Sequence, residues 1–143
     1  MPLTRNLLGG LAAACLAACL TRAAVPAPTK GPEPLQISHG QPVKIEDYLV
    51  PGKTTVVDFY SKFCPPCMAL APLIEQLHRT RTDLAVVEVD INRPGVVGID
   101  WQSPVVREFQ LDSIPRLTVY GPDGKLVADG LQARELVIGW LGH

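Results

Sequence analysis

The sequence predicts an α/β fold, a central mixed β-sheet flanked by helices, built as one domain. Three observations carry that expectation. The β-branched and aromatic run Thr54–Tyr60 lacks clean alternation, as a strand covered on both faces does. Behind it, Cys67, Leu70, Leu73, Ile74 and Leu77 recur at helical spacing, the mark of one buried stripe. A further apolar strand, residues 84–89, follows that helix, and strand, helix, strand is a parallel crossover of right-handed sense. With 143 residues, 47% of them apolar and 19% charged, the chain is long enough for one core. Its net charge of -1 offers no basic face, so no nucleic-acid partner is expected.

Taken in order, the chain opens with an address. Residues 1–6 carry one charge, Arg5, and residues 7–18 form an uncharged Leu, Ala and Gly run ending in small residues, which reads as a signal peptide over 1–18. That run is too short to cross about 30 Å of hydrocarbon at about 1.5 Å per residue. Leu16-Ala17-Ala18-Cys19 resembles the bacterial lipobox, which implies a lipid on Cys19 as the first residue of the mature chain. Simple secretory cleavage is the alternative, and Cys15, behind three alanines, is the poorer match. Residues 19–34, with Pro26, Pro28, Pro32 and Pro34, are expected to be a lipid-anchored, extended linker. The domain is then expected over 35–143, outside the cytoplasmic membrane, on the periplasmic side in a Gram-negative bacterium.

Within the domain, residues 43–45 are a short candidate strand and 47–50 a turn of helix, before Pro51-Gly52 breaks the chain. After the strand Thr54–Tyr60, a helix is expected over 65–79, with Pro65 suited to its first turn and Pro72 placed to kink it. Ser103 is a candidate cap for a helix over 104–110 opened by Pro104. Arg116–Tyr120 alternates as a strand, Pro122-Asp123-Gly124 makes a turn, residues 125–129 return antiparallel, and an amphipathic helix over 132–141 closes the chain.

The chemistry concentrates at Cys64-Pro65-Pro66-Cys67. Cysteines three apart at a helix start sit on one turn, close enough to form and open a disulfide locally. Cys64 precedes the first turn, where free N–H groups and the helix dipole favour a thiolate, so it is the candidate nucleophile. Cys67 lies on the apolar stripe and is the candidate resolving thiol, its pKa raised by burial. A zinc site would need two more ligands, and His39, His78 and His143 have no paired spacing. They are expected at the surface, no metal site is expected, and no cofactor is expected beyond the Cys64–Cys67 disulfide itself. Asp58 stands in the middle of a buried strand, where desolvation would raise its pKa towards neutrality and suit it to proton exchange with Cys67. A strand-face carboxylate reaching solvent is the alternative. Ile114-Pro115 precedes the Arg116 strand, where Pro115 either begins the strand in cis or ends the preceding helix.

Val57-Asp58-Phe59, Phe63-Cys64-Pro65-Pro66-Cys67, Ala71-Pro72, Val89-Asp90, Ser113-Ile114-Pro115 and Gly121-Pro122-Asp123-Gly124 together resemble the thioredoxin family, from about Val43 to the C-terminus. The resemblance implies a thioredoxin-like fold, attack on substrate disulfides by Cys64, resolution by Cys67, proton transfer by Asp58 and a cis bond at Pro115. It also implies that Phe63, Pro65, Ile114 and Pro115 meet the substrate. Departures are Pro-Pro between the cysteines, Met68 in place of a basic residue, and a longer connection over 93–102. The chain is similar as well to exported thioredoxin-like lipoproteins and to the reductants of cytochrome c maturation. A thiol-disulfide oxidoreductase is expected, working as a protein-disulfide reductase on exported disulfide-bearing proteins and fed by a membrane electron donor. No histidine lies between the cysteines to stabilise the reduced form, as strongly oxidising relatives have. A thiol oxidant or isomerase, and a non-catalytic Cu(I)-binding thiolate module, are the alternatives. Arg116, beside Pro115, is a further candidate for substrate choice.

Overall fold

A computed structural model describes residues 26–142. The expected signal peptide and Cys19 lie outside the described residues. Five strands form one mixed sheet: β1 (Leu35–Ile37), β2 (Thr54–Tyr60), β3 (Leu84–Asp90), β4 (Arg116–Tyr120) and β5 (Leu126–Asp129), in the order β1-β3-β2-β4-β5. The first three pair in parallel, and β4 and β5 run antiparallel. Three helices, α1 (Pro65–Thr80), α2 (Pro104–Glu108) and α3 (Gly130–Leu141), flank it, and a 3-10 helix spans Ile45–Tyr48. The expected class and the parallel crossover β2-α1-β3 are both present.

Strand β2 is central, with a neighbour on each side, and its alternate residues feed two cores. Val57 and Phe59 face one, where the Phe59 and Phe109 ring centroids lie 4.9 Å apart. Val56 faces the other with Ile74 and Leu77 of α1 and Val137 of α3. Side chains two apart on a strand share a face, so Asp58 lies on the α1 side with Val56. This burial on both sides is why the run shows no polar alternation.

Several expectations need correction. Residues 43–45 are not a strand: Val43 and Ile45 are buried because Ile45 opens the 3-10 helix and both pack into the core. The strand in this region is β1, which pairs with β3 along Leu35↔Val87 to Ile37↔Val89. Ser103 stands at the N-cap position of α2, but its buried hydroxyl makes no capping bond and finds no partner among the described residues. The helix expected over 65–79 is present as α1, with Pro72 inside it as expected.

His78 is the largest departure from expectation, because it is buried rather than at the surface. Its Nδ1 accepts the Val86 N–H at 2.9 Å, which fixes the proton on Nε2, and Nε2 donates to the Gly31 carbonyl at 3.0 Å. With both ring nitrogens used inside the protein, the residue gains by being neutral, and burial holds its pKa below the usual value. The Lys30 ammonium donates to the Arg81 carbonyl, and Glu33 lies 3.6 Å from Arg79. The described end of the Pro-rich segment is therefore docked against the C-terminal half of α1. His39 is exposed beside Asp90, and His143 lies outside the described residues.

The connection after β3 is held by its own polar network. Asp100 accepts both Nε and Nη2 of Arg93, at 2.7 and 3.0 Å, and Asn92 donates to the Gly98 carbonyl. Gly40, at φ +78°, packs against it so closely that a Cβ there would stand 2.6 Å from the Arg93 nitrogen. The extra length seen in the sequence is thus ordered structure.

Candidate active site

The turn leaving β2 presents the cysteines. Ser61 is fully buried, its hydroxyl accepts the Phe63 N–H at 3.1 Å, and its carbonyl accepts the Cys64 N–H at 3.0 Å. Cys64 thereby takes the N-cap position of α1 with extended backbone, and Pro65 and Pro66 occupy the first helical positions, where a missing N–H loses nothing. Cys64 and Cys67 are joined by a disulfide with a Cα separation of 5.3 Å. The Cys67 N–H points at Cys64 Sγ from 3.2 Å, a capping donor that would serve a thiolate at the same atom. Both sulfurs are buried in this oxidised state.

Ile114-Pro115 is cis, and the Ile114 carbonyl oxygen lies 3.7 Å from Cys64 Sγ. The structure thus brings together the two segments that the sequence placed fifty residues apart. A groove of about 540 Å³ runs beside them, lined by Pro66, Ile114 and Pro115 with Arg116, Leu131 and Arg134 among others. Pro66 lines this groove, whereas Pro65 is exposed outside its lining, and Phe63 is half-buried under the Lys62 ammonium. Arg116 is committed to Asp129 through two contacts of 2.6 and 3.0 Å.

Beneath the helix, Asp58 is 2% exposed, and its Oδ1 has no hydrogen-bond partner among the described residues. Burial first, and the nearby Glu88 carboxyl second, push its pKa up to about 7. The solvent-reaching alternative for Asp58 is therefore excluded by the geometry. Glu88 was not singled out in the sequence. The signal was present, since Glu88 interrupts the apolar run of 84–89 as Asp58 interrupts that of β2.

The family model described as Thioredoxin matches residues 43–137, more than half of the chain. The chain belongs to the thioredoxin family. It is 30% identical over 83 residues to the thioredoxin of Mycoplasmoides gallisepticum, covering 58% of this chain and 74% of that protein. Against the thioredoxin of Mycobacterium tuberculosis it is 35% identical over 82 residues, covering 57% and 63%, so it spans just under two thirds of that relative. A mutant thioredoxin from Halobacterium salinarum superposes with a TM-score of 0.54 at 20% identity, over 79% of this chain and 95% of that one, which supports the fold. The chain is a thioredoxin-family disulfide oxidoreductase.

Proposed function

We propose that this thioredoxin-family protein is a protein-disulfide reductase working outside the cytoplasmic membrane, held there by a lipid on Cys19. The observation that carries the activity is the placing of three groups on one face of the sheet: an N-cap cysteine with a donor on its sulfur, a second cysteine one turn on, and a buried carboxyl, Asp58, whose Oδ1 has no partner among the described residues. The anchor and the compartment rest on the signal-like run and the lipobox resemblance at residues 16–19.

In the reduced protein the Cys64 thiolate, stabilised by the Cys67 N–H and the helix dipole, attacks one sulfur of a substrate disulfide. A mixed disulfide forms and one substrate thiolate leaves. The Cys67 thiol then gives its proton to the Asp58 carboxylate and attacks Cys64 Sγ, which releases the second substrate thiolate and closes the Cys64–Cys67 disulfide. Two electrons pass to the substrate, and a membrane dithiol donor must return them. An extended substrate segment lies in the groove by Ile114 and Pro115, with Phe63 and Pro65 on the rim beside Cys64.

The test is a Cys67→Ser protein, which attacks but cannot resolve. It should accumulate mixed disulfides with exported proteins in the membrane fraction, and Cys19→Ala should shift those adducts to the soluble fraction. No adducts would refute the activity, and adducts unmoved by Cys19→Ala would refute the anchor. A second reading, as an oxidant or isomerase, draws on the chain's 26% identity over 122 residues to a Hordeum vulgare protein named protein disulfide-isomerase. A reduction potential of about -270 mV supports the reductase and one of about -120 mV the oxidant.

A further inference from the structure

Asp58 and Glu88 face each other in register across the parallel strands β2 and β3. Partners in register point to the same side of a sheet, and neighbouring strands lie about 4.8 Å apart. Both carboxyls therefore enter the space under α1, where they are 2% and 7% exposed. They differ in how they are held. Gln36 of β1 donates its Nε2 to Glu88 Oε2 at 3.0 Å, while Asp58 Oδ1 has no partner among the described residues.

Among the described residues, no basic side chain acts on either carboxyl. Glu75 on α1 acts on Glu88, and Asp90 and Tyr60 stand at the ends of β3 and β2. Across β2 in the other direction, Asp58 is in register with the apolar Leu117 of β4. Two carboxylates buried together under apolar cover cannot both ionise cheaply, and such pairs hold one proton between them. Burial raises the Glu88 carboxyl as well, but the Gln36 hydrogen bond favours its charged form and opposes that rise, so the pair's charge falls first on Glu88 and its proton on Asp58.

We propose that Glu88, fixed by Gln36, is a positioning residue that makes Asp58 and itself a one-proton carboxyl pair and so sets the pH at which Asp58 can accept the Cys67 proton. The inference rests on the reading of Asp58 as that acceptor. Its substance is a division of labour: Asp58, on the α1 face with an oxygen that has no partner among the described residues, takes the proton, and Glu88, tied to an exposed amide, takes the charge. Above the pair's midpoint, where Asp58 has lost its proton, transfer of the Cys67 proton to Asp58 leaves a thiolate and a neutral acid beside a charged Glu88, so charge and protons balance without a further reactant.

The experiment follows the resolving step, release of a model peptide from its mixed disulfide with Cys64, as a function of pH. Alongside it, carbon NMR tracks both carboxyls in the reduced protein. In Glu88→Gln the like charge is gone, and both the rate midpoint and the Asp58 titration should fall by about 1 pH unit or more. Gln36→Leu, at the exposed sheet edge, should move the shared proton towards Glu88 and lower the Asp58 midpoint in the same sense. If Asp58→Asn abolishes the pH dependence but neither of these variants shifts the midpoint, the pair is refuted and the role of Asp58 stands. If Asp58→Asn leaves the profile intact, the acceptor reading itself fails, and the pair's role in exchange fails with it. A Glu88→Gln chain that does not fold would leave Gln36→Leu to decide.

Discussion

Asp58 and Asp100 are the same residue type at the same depth, 2% and 4% exposed, and they behave oppositely. Asp100 meets Arg93, whose guanidinium supplies two donors and whose backbone N–H supplies a third. Those hydrogen bonds hold its carboxyl below the usual range. Asp58 meets Glu88 and an unsatisfied oxygen, and its carboxyl is pushed up to about 7. Burial sets the penalty for charge in both places, and the partner decides whether the group ionises. One aspartate therefore pins a connection, and the other is poised to exchange a proton near neutral pH.

The comparison predicts opposite pH dependences of stability. Asp58 has a folded pKa above its unfolded one, so its contribution is fully present below about 4 and is lost as pH rises through about 7. The shift corresponds to roughly 4 kcal/mol as an upper figure. In Asp58→Asn that slope should vanish, and above pH 8 the variant should resist urea better than the parent. A parent with flat stability from pH 4 to 8 would show that Asp58 is not the buried acid described here. Asp100 has a depressed folded pKa, so its stabilisation is present above about 4 and is lost as pH falls through the lower, folded value.

Removing its partner is the next largest effect. Arg93→Met takes the guanidinium from Asp100 and leaves it the backbone N–H, which should destabilise the protein at pH 7, with the loss shrinking as acid neutralises Asp100. Denaturant titrations at pH 7 and pH 3 measure this. Equal losses at the two pH values would mean that Arg93 acts through packing of its stem rather than through charge.

The elements around the redox centre were legible because each has a strong local signature. Thr54–Tyr60 is long and β-branched, α1 carries a full apolar stripe, and β4 and β5 flank a Pro-Asp-Gly turn. The edge strand Leu35–Ile37 was not legible, since three residues have no period and their pairing with β3 is set by tertiary contact. Residues 43–45 alternate as a strand would, but here the alternation serves packing around a 3-10 turn. Cys64, Cys67 and Asp58 stood out by spacing or by a charge in an apolar run. The pairing of Glu88 with Asp58 needed the strand register, which no single-chain pattern supplies.

His78 extends the comparison to a third buried titratable group, and its effect should be the smallest. Unlike Asp58 it has a partner at each polar atom, and unlike Asp100 it bonds only to neutral backbone. Its ring takes the place of a strand neighbour at Val86, one residue before β3 begins pairing with β1 at Val87. His78→Ala removes an acceptor from a buried N–H and a donor from the Gly31 carbonyl, which should cost about 2 kcal/mol. The folded pKa lies below the unfolded one, so this stabilisation is present above about 6.5 and declines as pH falls below it. Hydrogen exchange at the Val86 amide should rise about 10-fold or more in the variant, together with protease cutting near residues 28–33. Faster exchange at Val86 without new cutting would mean that the Lys30 and Glu33 contacts hold the segment by themselves. Cutting together with exchange would make the histidine the clasp that joins segment, helix and sheet.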